Sequence, residues 1–343
     1  MTRIHAIETA LPIVKNSQEE IAAYMQATYQ KSFAVNQVYA DTRIESRHSV
    51  LSDFQHNPST PLFFNGHEPK MQQRMEKYFH YAPGLAMEAI RKLDSYEKMT
   101  HLITVSCTGL AAPGLETIIQ EELKLSSDLQ KATVNFMGCY AAIHGLRLAD
   151  WIIRADPKAV VVLVCVELCT LHFHRKYTLE NLSSASLFAD GAAAVLLDGG
   201  DSGLEIKSFF TSVNHSAKGD MSWDLDENGF LMQLTRQVPT KLREGLKETL
   251  ARRCEELHIP LSSIANYAIH PGGKKILEAV AEELGLSEEQ MESSFEVLRR
   301  YGNMSSPSIL FVLKEEWMNK KPEQILGLAF GPGLTMEGIY LTA

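Results

Sequence analysis

No stretch of this chain is apolar for long. The densest run, Ala159 to Val166, covers eight residues, against about 20 for a membrane span. The opening segment, MTRIHAIETALPIV, has neither the charged head nor the sustained apolar stretch of a secretory leader, so a cytoplasmic location is expected. Basic residues are in the minority, 33 Lys plus Arg against 42 Asp plus Glu. The resulting net charge of −9 keeps the chain soluble and is not the footprint of a nucleic-acid binder. Cysteines are few, odd in number and irregularly spaced, at 107, 139, 165, 169 and 254. That pattern excludes a disulfide scaffold and leaves reduced thiols, at least one of them available for chemistry.

What is present is ordinary globular material: 45% apolar and 22% charged residues over 343 positions. That length implies two domains or one large composite fold. Strand and helix patterns alternate. LITVSCT (102–108) reads as a buried strand, and KATVNF (131–136) as another. The segment MGCYAAIHGLRLADWIIRA repeats apolar residues at Ile143, Leu146, Ala149, Ile152 and Ile153, a helical period. AVVVLVCVE (159–167) is apolar on both faces, as a central strand covered on two sides must be. An irregular stretch to Ser186 precedes the strand GAAAVLLD.

After about residue 205 the pattern restarts: a strand LEIKSFFTS, one amphipathic helix over 239–257, and a strand SIANYAI ending in Gly-rich HPGG. Helices GKKILEAVAEELGL and SSPSILFVLKEEWMNK and a closing hairpin from Gln324 follow. No Pro-, Gly- or Ser-rich linker separates the halves, so they are expected to share one core as an α/β fold.

Three residues stand where chemistry is feasible. Cys139 follows Gly138 between a strand and a long helix, where backbone N–H groups and the helix dipole favour thiolate; a small buried thiol at a packed turn looks the same. His270 ends an apolar strand beside Pro271, Gly272 and Gly273, a place suited to a base or donor, or to a ring satisfied by the turn. Asn303 in YGNMSS either caps the following helix or offers its amide to an oxyanion. Cys139 and His270 are 131 residues apart and Asn303 follows 33 residues later. Together they supply a nucleophile, a proton acceptor and a neutral donor. The local cysteine signature of papain-like proteases is absent.

Around these residues the chain resembles the type III polyketide synthases (chalcone synthase-like enzymes) of the thiolase superfamily. The matching stretches are GCYAAIHGLRLA, LFADGAAAVLL (187–197), IHPGGKKIL, YGNMSSPSILFVL and FGPGLTMEGI (330–339), with ESRHSVLSDF (45–54) extending the match. A ketoacyl synthase III, the single-step alternative, would show His-Gln-Ala-Asn where this chain has His-Pro-Gly-Gly.

The resemblance implies a five-layered α-β-α-β-α fold of two similar halves, residues 1–204 with the nucleophile and 205–343 with the His and Asn, acting as a homodimer. It implies that Cys139 takes an acyl starter from acyl-CoA, while His270 and Asn303 hold the malonyl-CoA thioester carbonyl as CO₂ leaves. It also implies that both neutral and charged His270 are reachable near pH 7. CoA thioesters are then substrates, and no metal or redox cofactor is expected. Phe188 stands at an aromatic gate, and a second gate position carries Met232, a departure that leaves a softer passage. Cys107, Cys169, His172, Trp223 and Ser305 fall at cavity-lining positions, and bulky Trp223 speaks against a chalcone product. Ala112 stands where the family tends to send a Met into the partner.

Arg47, with Arg43 and His48, or else Lys274 and Lys275, would meet the CoA phosphates. The array Cys165, Cys169, His172, His174 has short metal-like spacings. However, Cys165 lies inside a fully apolar strand, and the resemblance accounts for Cys169 and His172, so a metal site is not expected.

Overall fold

The computed structural model describes residues 1–55, 62–63, 66–217 and 219–343. Among them, nine strands form one sheet in two parts. The first part runs β5 (Gln130–Asn135), β4 (His101–Ser106), β6 (Val161–Leu168), β7 (Asp190–Asp198), β1 (Arg3–Ala10). The second runs β8 (Leu204–Val213), β13 (Thr335–Thr342), β12 (Gln324–Gly331), β11 (Tyr267–Ile269). They join through only two residue pairs, Arg3 with Glu205 and Ile4 with Leu204. Short β2 (Val14–Ser17) pairs with β3 (Ser46–Ser49), and β9 (Met221–Asp226) forms a separate hairpin with β10 (Gly229–Leu234).

Strand alternation sorts the core into layers. Along β6, Val161, Leu163 and Cys165 face one cluster with Ile143, Leu146 and Ile153 of α5 (Ala141–Ala155) and Ile309, Leu310 and Leu313 of α11 (Ser308–Lys320). Val162, Val164 and Val166 face the opposite cluster, which includes α1 (Gln18–Tyr29) and α3 (Met71–Arg91). In the second part, Ala268 and Ile325 join the α5/α11 cluster. Tyr267, Ile269, Leu326 and Leu328 pack instead against α8 (Leu246–Glu256) and α9 (Lys274–Leu284). A period of two puts neighbouring side chains on opposite faces, so both sheet parts are covered twice. The result is five layers, α-β-α-β-α, with α5 and α11 in the middle. Helix α11 buries Ile309, Leu310, Phe311, Val312 and Leu313 in succession, the all-round apolar pattern of a helix with no solvent face there.

Three expectations are corrected, and one helix is added. The helix over 239–257 is two, α7 (Val238–Arg243) and α8, because Gly245 adopts a left-handed φ of 77°. The stretch before Ser186 is not irregular: it holds a single turn, Cys169–His172, and α6 (Leu179–Leu187), whose first turn is capped by Thr178. Strand β11 keeps only three residues. Helix α10 (Glu288–Tyr301), with a Ser287–Gln290 capping box, was not legible among its charges. Two shorter helices, α2 (Ser32–Ala40) and α4 (Leu115–Glu122), complete the set used below.

Candidate active site

The turn from β5 to α5 presents Cys139. Phe136 and Gly138 both take positive φ, 58° and 81°, which turns the chain sharply before the first helical bond, Ala141 N–H to the Gly138 carbonyl. A Cβ at Gly138 would lie 2.2 Å from Pro332 Cδ, so glycine is required for space as well as for φ. Cys139 is 6% exposed. Burial pushes its thiol up to about 11, against hydrogen bonds from Ser305 and Asn303 that favour thiolate, while the nearby Glu167 charge adds to the rise. The helix-end effect expected from sequence is outweighed by desolvation, because a helix terminus contributes only about 0.3–1 kcal/mol.

His270 follows β11, its N–H bonded to the Leu328 carbonyl at 2.8 Å. The ring is 1% exposed, and neither nitrogen has a protein partner. Burial alone pushes its pKa down to about 3. The expectation that both forms are reachable near pH 7 is therefore corrected: unliganded His270 is a neutral imidazole with one N–H and one lone pair unspent. Buried polar groups are nearly always satisfied, and an unspent pair is a mark of function.

Asn303 lies between α10 and α11, where it forms a parallel bridge with Phe188. Its backbone N–H donates to the Leu187 carbonyl, and its own carbonyl accepts from Ala189 N–H, each at 2.9 Å. The side chain is 2% exposed. Oδ1 accepts from Ser305 N–H at 2.8 Å, and Nδ2 donates to the Gly272 carbonyl at 3.3 Å. Asn303 also lies beside Cys139, where it favours thiolate, and so connects Cys139 to the loop that carries His270. It does not cap α11, whose preceding residue is Pro307.

The remaining predicted residues fall into two groups. Cys107 and Ser305 lie against the nucleophile. Gly138 N–H points at Cys107 Sγ at 3.1 Å, and Ser305, with φ 58°, bonds Cys139. Neither lines the neighbouring cavity, which leaves about 40 Å³ between α6, the Cys169–His172 turn and the β9–β10 hairpin. Cys169, His172, Phe188, Trp223, Met232 and Arg47 do line it. His172 is pinned there: Nε2–H donates to the Thr108 carbonyl at 2.8 Å, Nδ1 accepts from Phe230 N–H at 3.2 Å, and the ring stacks on Phe230 at 4.3 Å. Burial takes it to about 3, so it stays neutral. Trp223 donates to the Cys107 carbonyl at 2.9 Å and stands 6.4 Å from Phe188.

Arg47 is not at a solvent-facing mouth. It is 3% exposed and donates to the Phe188 and Ala185 carbonyls at 2.6 and 2.8 Å and to Gln18 at 2.9 Å. It braces the Phe188 backbone from behind. The other candidate cations sit together at the surface: Lys274 and Lys275 on Asp41, and Arg43 on Glu278 of α9. His48 is tied to the Pro12 carbonyl. No cluster of His, Cys, Asp and Glu suited to a metal exists among the described residues.

One residue of the site escaped the sequence reading. Glu167, fully buried near the end of β6, accepts from Cys107 N–H, Thr108 Oγ1 and Ser306 Oγ at 2.9, 2.8 and 2.7 Å. Burial raises its carboxyl to about 7 despite those bonds. A single acid in an otherwise apolar strand was the available signal, because a buried carboxylate is retained only where it is paired.

A buried thiol, an unspent imidazole and a bonded carboxamide between two sheet parts define a condensing enzyme of the thiolase type. The chain belongs to the chalcone and stilbene synthase family: the model of the N-terminal domain matches residues 1–201 and that of the C-terminal domain 206–343. It is a type III polyketide synthase, an acyltransferase.

Among similar proteins is the alpha-pyrone synthesis polyketide synthase-like Pks18 of Mycobacterium tuberculosis, 29% identical over 89% of this chain and 81% of that protein. Another is the probable polyketide synthase 1 of Dictyostelium discoideum, 29% identical over 90% of this chain but only 10% of that protein. The crystal structure of PKS-I from the brown alga Ectocarpus siliculosus superimposes with a TM-score of 0.94 at 26% identity, covering 99% of this chain and 98% of that one.

Proposed function

We propose that Cys139 accepts the acyl group of a CoA thioester and that His270 and Asn303 hold the malonyl thioester oxygen during decarboxylation. The observation that carries this reading is the place of Asn303, beside the Cys139 thiol and bonded to the His270 loop. His270 takes the proton of Cys139 as the thiol attacks the acyl-CoA carbonyl and passes it to the departing CoA thiolate, which leaves the imidazole neutral again. Its N–H and one of Asn303 then face the oxygen that gains charge when CO₂ departs. Fixed donors in a dry site stabilise such an oxyanion far better than water does. The carbanion attacks the acyl-Cys carbonyl, which expels the Cys139 thiolate and leaves the extended chain on CoA; transfer back to Cys139 and repeated cycles end in cyclisation to a pyrone, resorcinol or related ring. Phe188 closes the passage to the cavity, Cys169, His172, Trp223 and Met232 shape that cavity for the chain, and Cys107 and Ser305 shape the space beside Cys139. The surface cations Arg43, Lys274 and Lys275 meet the CoA phosphates, a role that buried Arg47 cannot fill.

In this reading the two halves, 1–204 and 205–343, each supply part of one site. The enzyme works as a homodimer, which the exposed edge of β5 supports because its unpaired backbone groups invite a second chain. Five free cysteines suit the reducing cytoplasm.

The test is incubation with malonyl-CoA and a panel of acyl-CoA starters, with products and enzyme adducts read by mass. Two or more extensions with release of a cyclised product are expected. One added acetate unit with a retained thioester would favour the single-step reading. Cys139→Ala should leave no acyl adduct; a persisting adduct refutes the nucleophile.

A further inference from the structure

The β9–β10 hairpin carries Trp223, Phe230 and Met232 into the cavity, yet it pairs with no strand of the central sheet. Side chains hold it instead, apart from Met71 N–H bonding the Glu227 carbonyl at its turn. Phe230 is gripped on both backbone groups: His172 Nδ1 accepts from its N–H, and His174 Nε2–H donates to its carbonyl at 3.0 Å. The other nitrogen of His174 faces Glu68 at 3.3 Å, and Glu68 pairs with Arg74 at 2.6 Å.

Arg74 is wholly buried. Its guanidinium donates to the Leu171 and Phe173 carbonyls on either side of His172, the latter at 2.8 Å, and to the Pro69 carbonyl at 3.1 Å. Gly229, the first residue of β10, lies on the same guanidinium: a Cβ there would be 3.0 Å from Nε. One planar cation thus spans the turn bearing His172, the start of α3 and the turn end of the hairpin, a fan of contacts that a lysine cannot reproduce.

The cavity's 40 Å³ is well under the roughly 150 Å³ of a cavity that takes up a molecule the size of benzene. Each extension adds three heavy atoms, so a growing chain requires a wall to yield. The Phe188 side is fixed by its bridge to Asn303 and by Arg47, and the turn at Cys169 continues directly from the buried strand β6. The hairpin, which shares no ladder with the central sheet and is held by side chains, Trp223 on the Cys107 carbonyl among them, is the wall whose hold can be loosened.

We propose that Glu68 and Arg74 are specificity-determining positioning residues: through His174 they clamp the β9–β10 hairpin against the Cys169–His172 turn and so limit how long the bound chain grows. This rests on the reading that the cavity receives that chain. Neither residue touches the reacting atoms, so weakening the clamp changes product length without changing decarboxylation.

The test uses Glu68→Gln, which keeps the shape and removes the charge facing His174 and Arg74, with Arg74→Lys as a second variant. Hydrogen exchange of peptides spanning 221–234 should quicken by about threefold or more. With malonyl-CoA and a medium-chain acyl-CoA, the ratio of longer to shorter products should rise about threefold or more. Malonyl-CoA decarboxylation by Glu68→Gln should stay within about twofold. If Glu68→Gln does not fold, His174→Gln, which keeps a donor for the Phe230 carbonyl but drops the link to Glu68, carries the same measurements. Unchanged exchange overturns the clamp. Faster exchange with an unchanged product ratio overturns the specificity role while leaving the functional reading intact. Equal losses in decarboxylation and extension also overturn it. Absence of any polyketide from the wild-type enzyme overturns the functional reading itself, and exchange still judges the clamp.

Discussion

Replacing Asn303 by alanine separates its two jobs. The backbone bridge to Leu187 and Ala189 uses main-chain groups and survives the change. What is lost are the side-chain bonds to Ser305 N–H and the Gly272 carbonyl, worth about 1 kcal/mol each. The melting temperature should therefore fall by only about 3 °C. Loss of one preorganised oxyanion donor costs about 2.7–4 kcal/mol in the transition state, or 10²–10³ in rate. Release of CO₂ from malonyl-CoA should drop by that factor at every pH. Acylation should respond differently. Asn303 also bonds Cys139 in the sense that favours thiolate, so its removal raises the thiol's pKa further and leaves less thiolate at a given pH. The acylation loss, read by intact mass after mixing with an acyl-CoA, should accordingly recover as the pH is raised. A fall in CO₂ release below about threefold in a folded variant would refute the oxyanion assignment. A decarboxylation loss that also recovers with pH would show that the amide acts only through the thiol.

Gly138→Ala should nearly abolish acyl loading, because the new Cβ meets Pro332 Cδ at 2.2 Å and the φ of 81° strains any side chain; near wild-type loading would show that the turn tolerates displacement. Glu167→Gln probes the buried acid by pH. The folded carboxyl, at about 7, holds its proton where an unfolded one, near 4.5, has lost it. The wild type therefore binds more protons folded than unfolded between about pH 4.5 and 7, and its stability relative to Glu167→Gln must fall as the pH rises through that window and level off above it. Melting curves from pH 4 to 8 check this, and a difference that is flat or rises with pH refutes the assignment.

The parts of the fold that were legible are those where one physical demand dominates. Ala159–Val166 reads as a doubly covered strand because every residue of β6 must be apolar or bonded, and α5 shows its period because one side packs on the sheet. Helix α10 did not show itself: Met291, Val297 and Leu298 are its buried apolar residues, set among Glu, Arg and Ser. Gly245 reads as an ordinary helix-weakening residue until its left-handed conformation is seen. Cys139, His270 and Asn303 are legible as types at turns, whereas their protonation is not. A local rule about helix ends cannot anticipate a burial that depends on residues from the other end of the chain. Arg47 misleads for the same reason: an arginine in a charged segment looks like a surface cation, and only the fold reveals that it is spent on the Phe188 and Ala185 carbonyls.

The middle layer explains why the site lies where it does. Helix α5 begins just after Cys139, and α11 begins just after Asn303, Ser305 and Ser306. Both helices belong to the same buried cluster and bring their N-terminal ends towards one region. A helix N-terminus favours nearby negative charge by about 0.3–1 kcal/mol when exposed and more when partly buried. Two such ends, one from each half, converge where the proposed mechanism would develop an enolate, while burial keeps the unliganded thiol and imidazole neutral. The arrangement thus withholds charge before substrate arrives and favours it once decarboxylation starts, which is the difference between binding a ground state and stabilising a transition state. The bridge between Phe188 and Asn303 crosses from one half to the other, so any change that lets the halves slide must move the gate and the donor together. In the proposed reaction the two halves would therefore act as one catalytic unit, neither able to supply it alone.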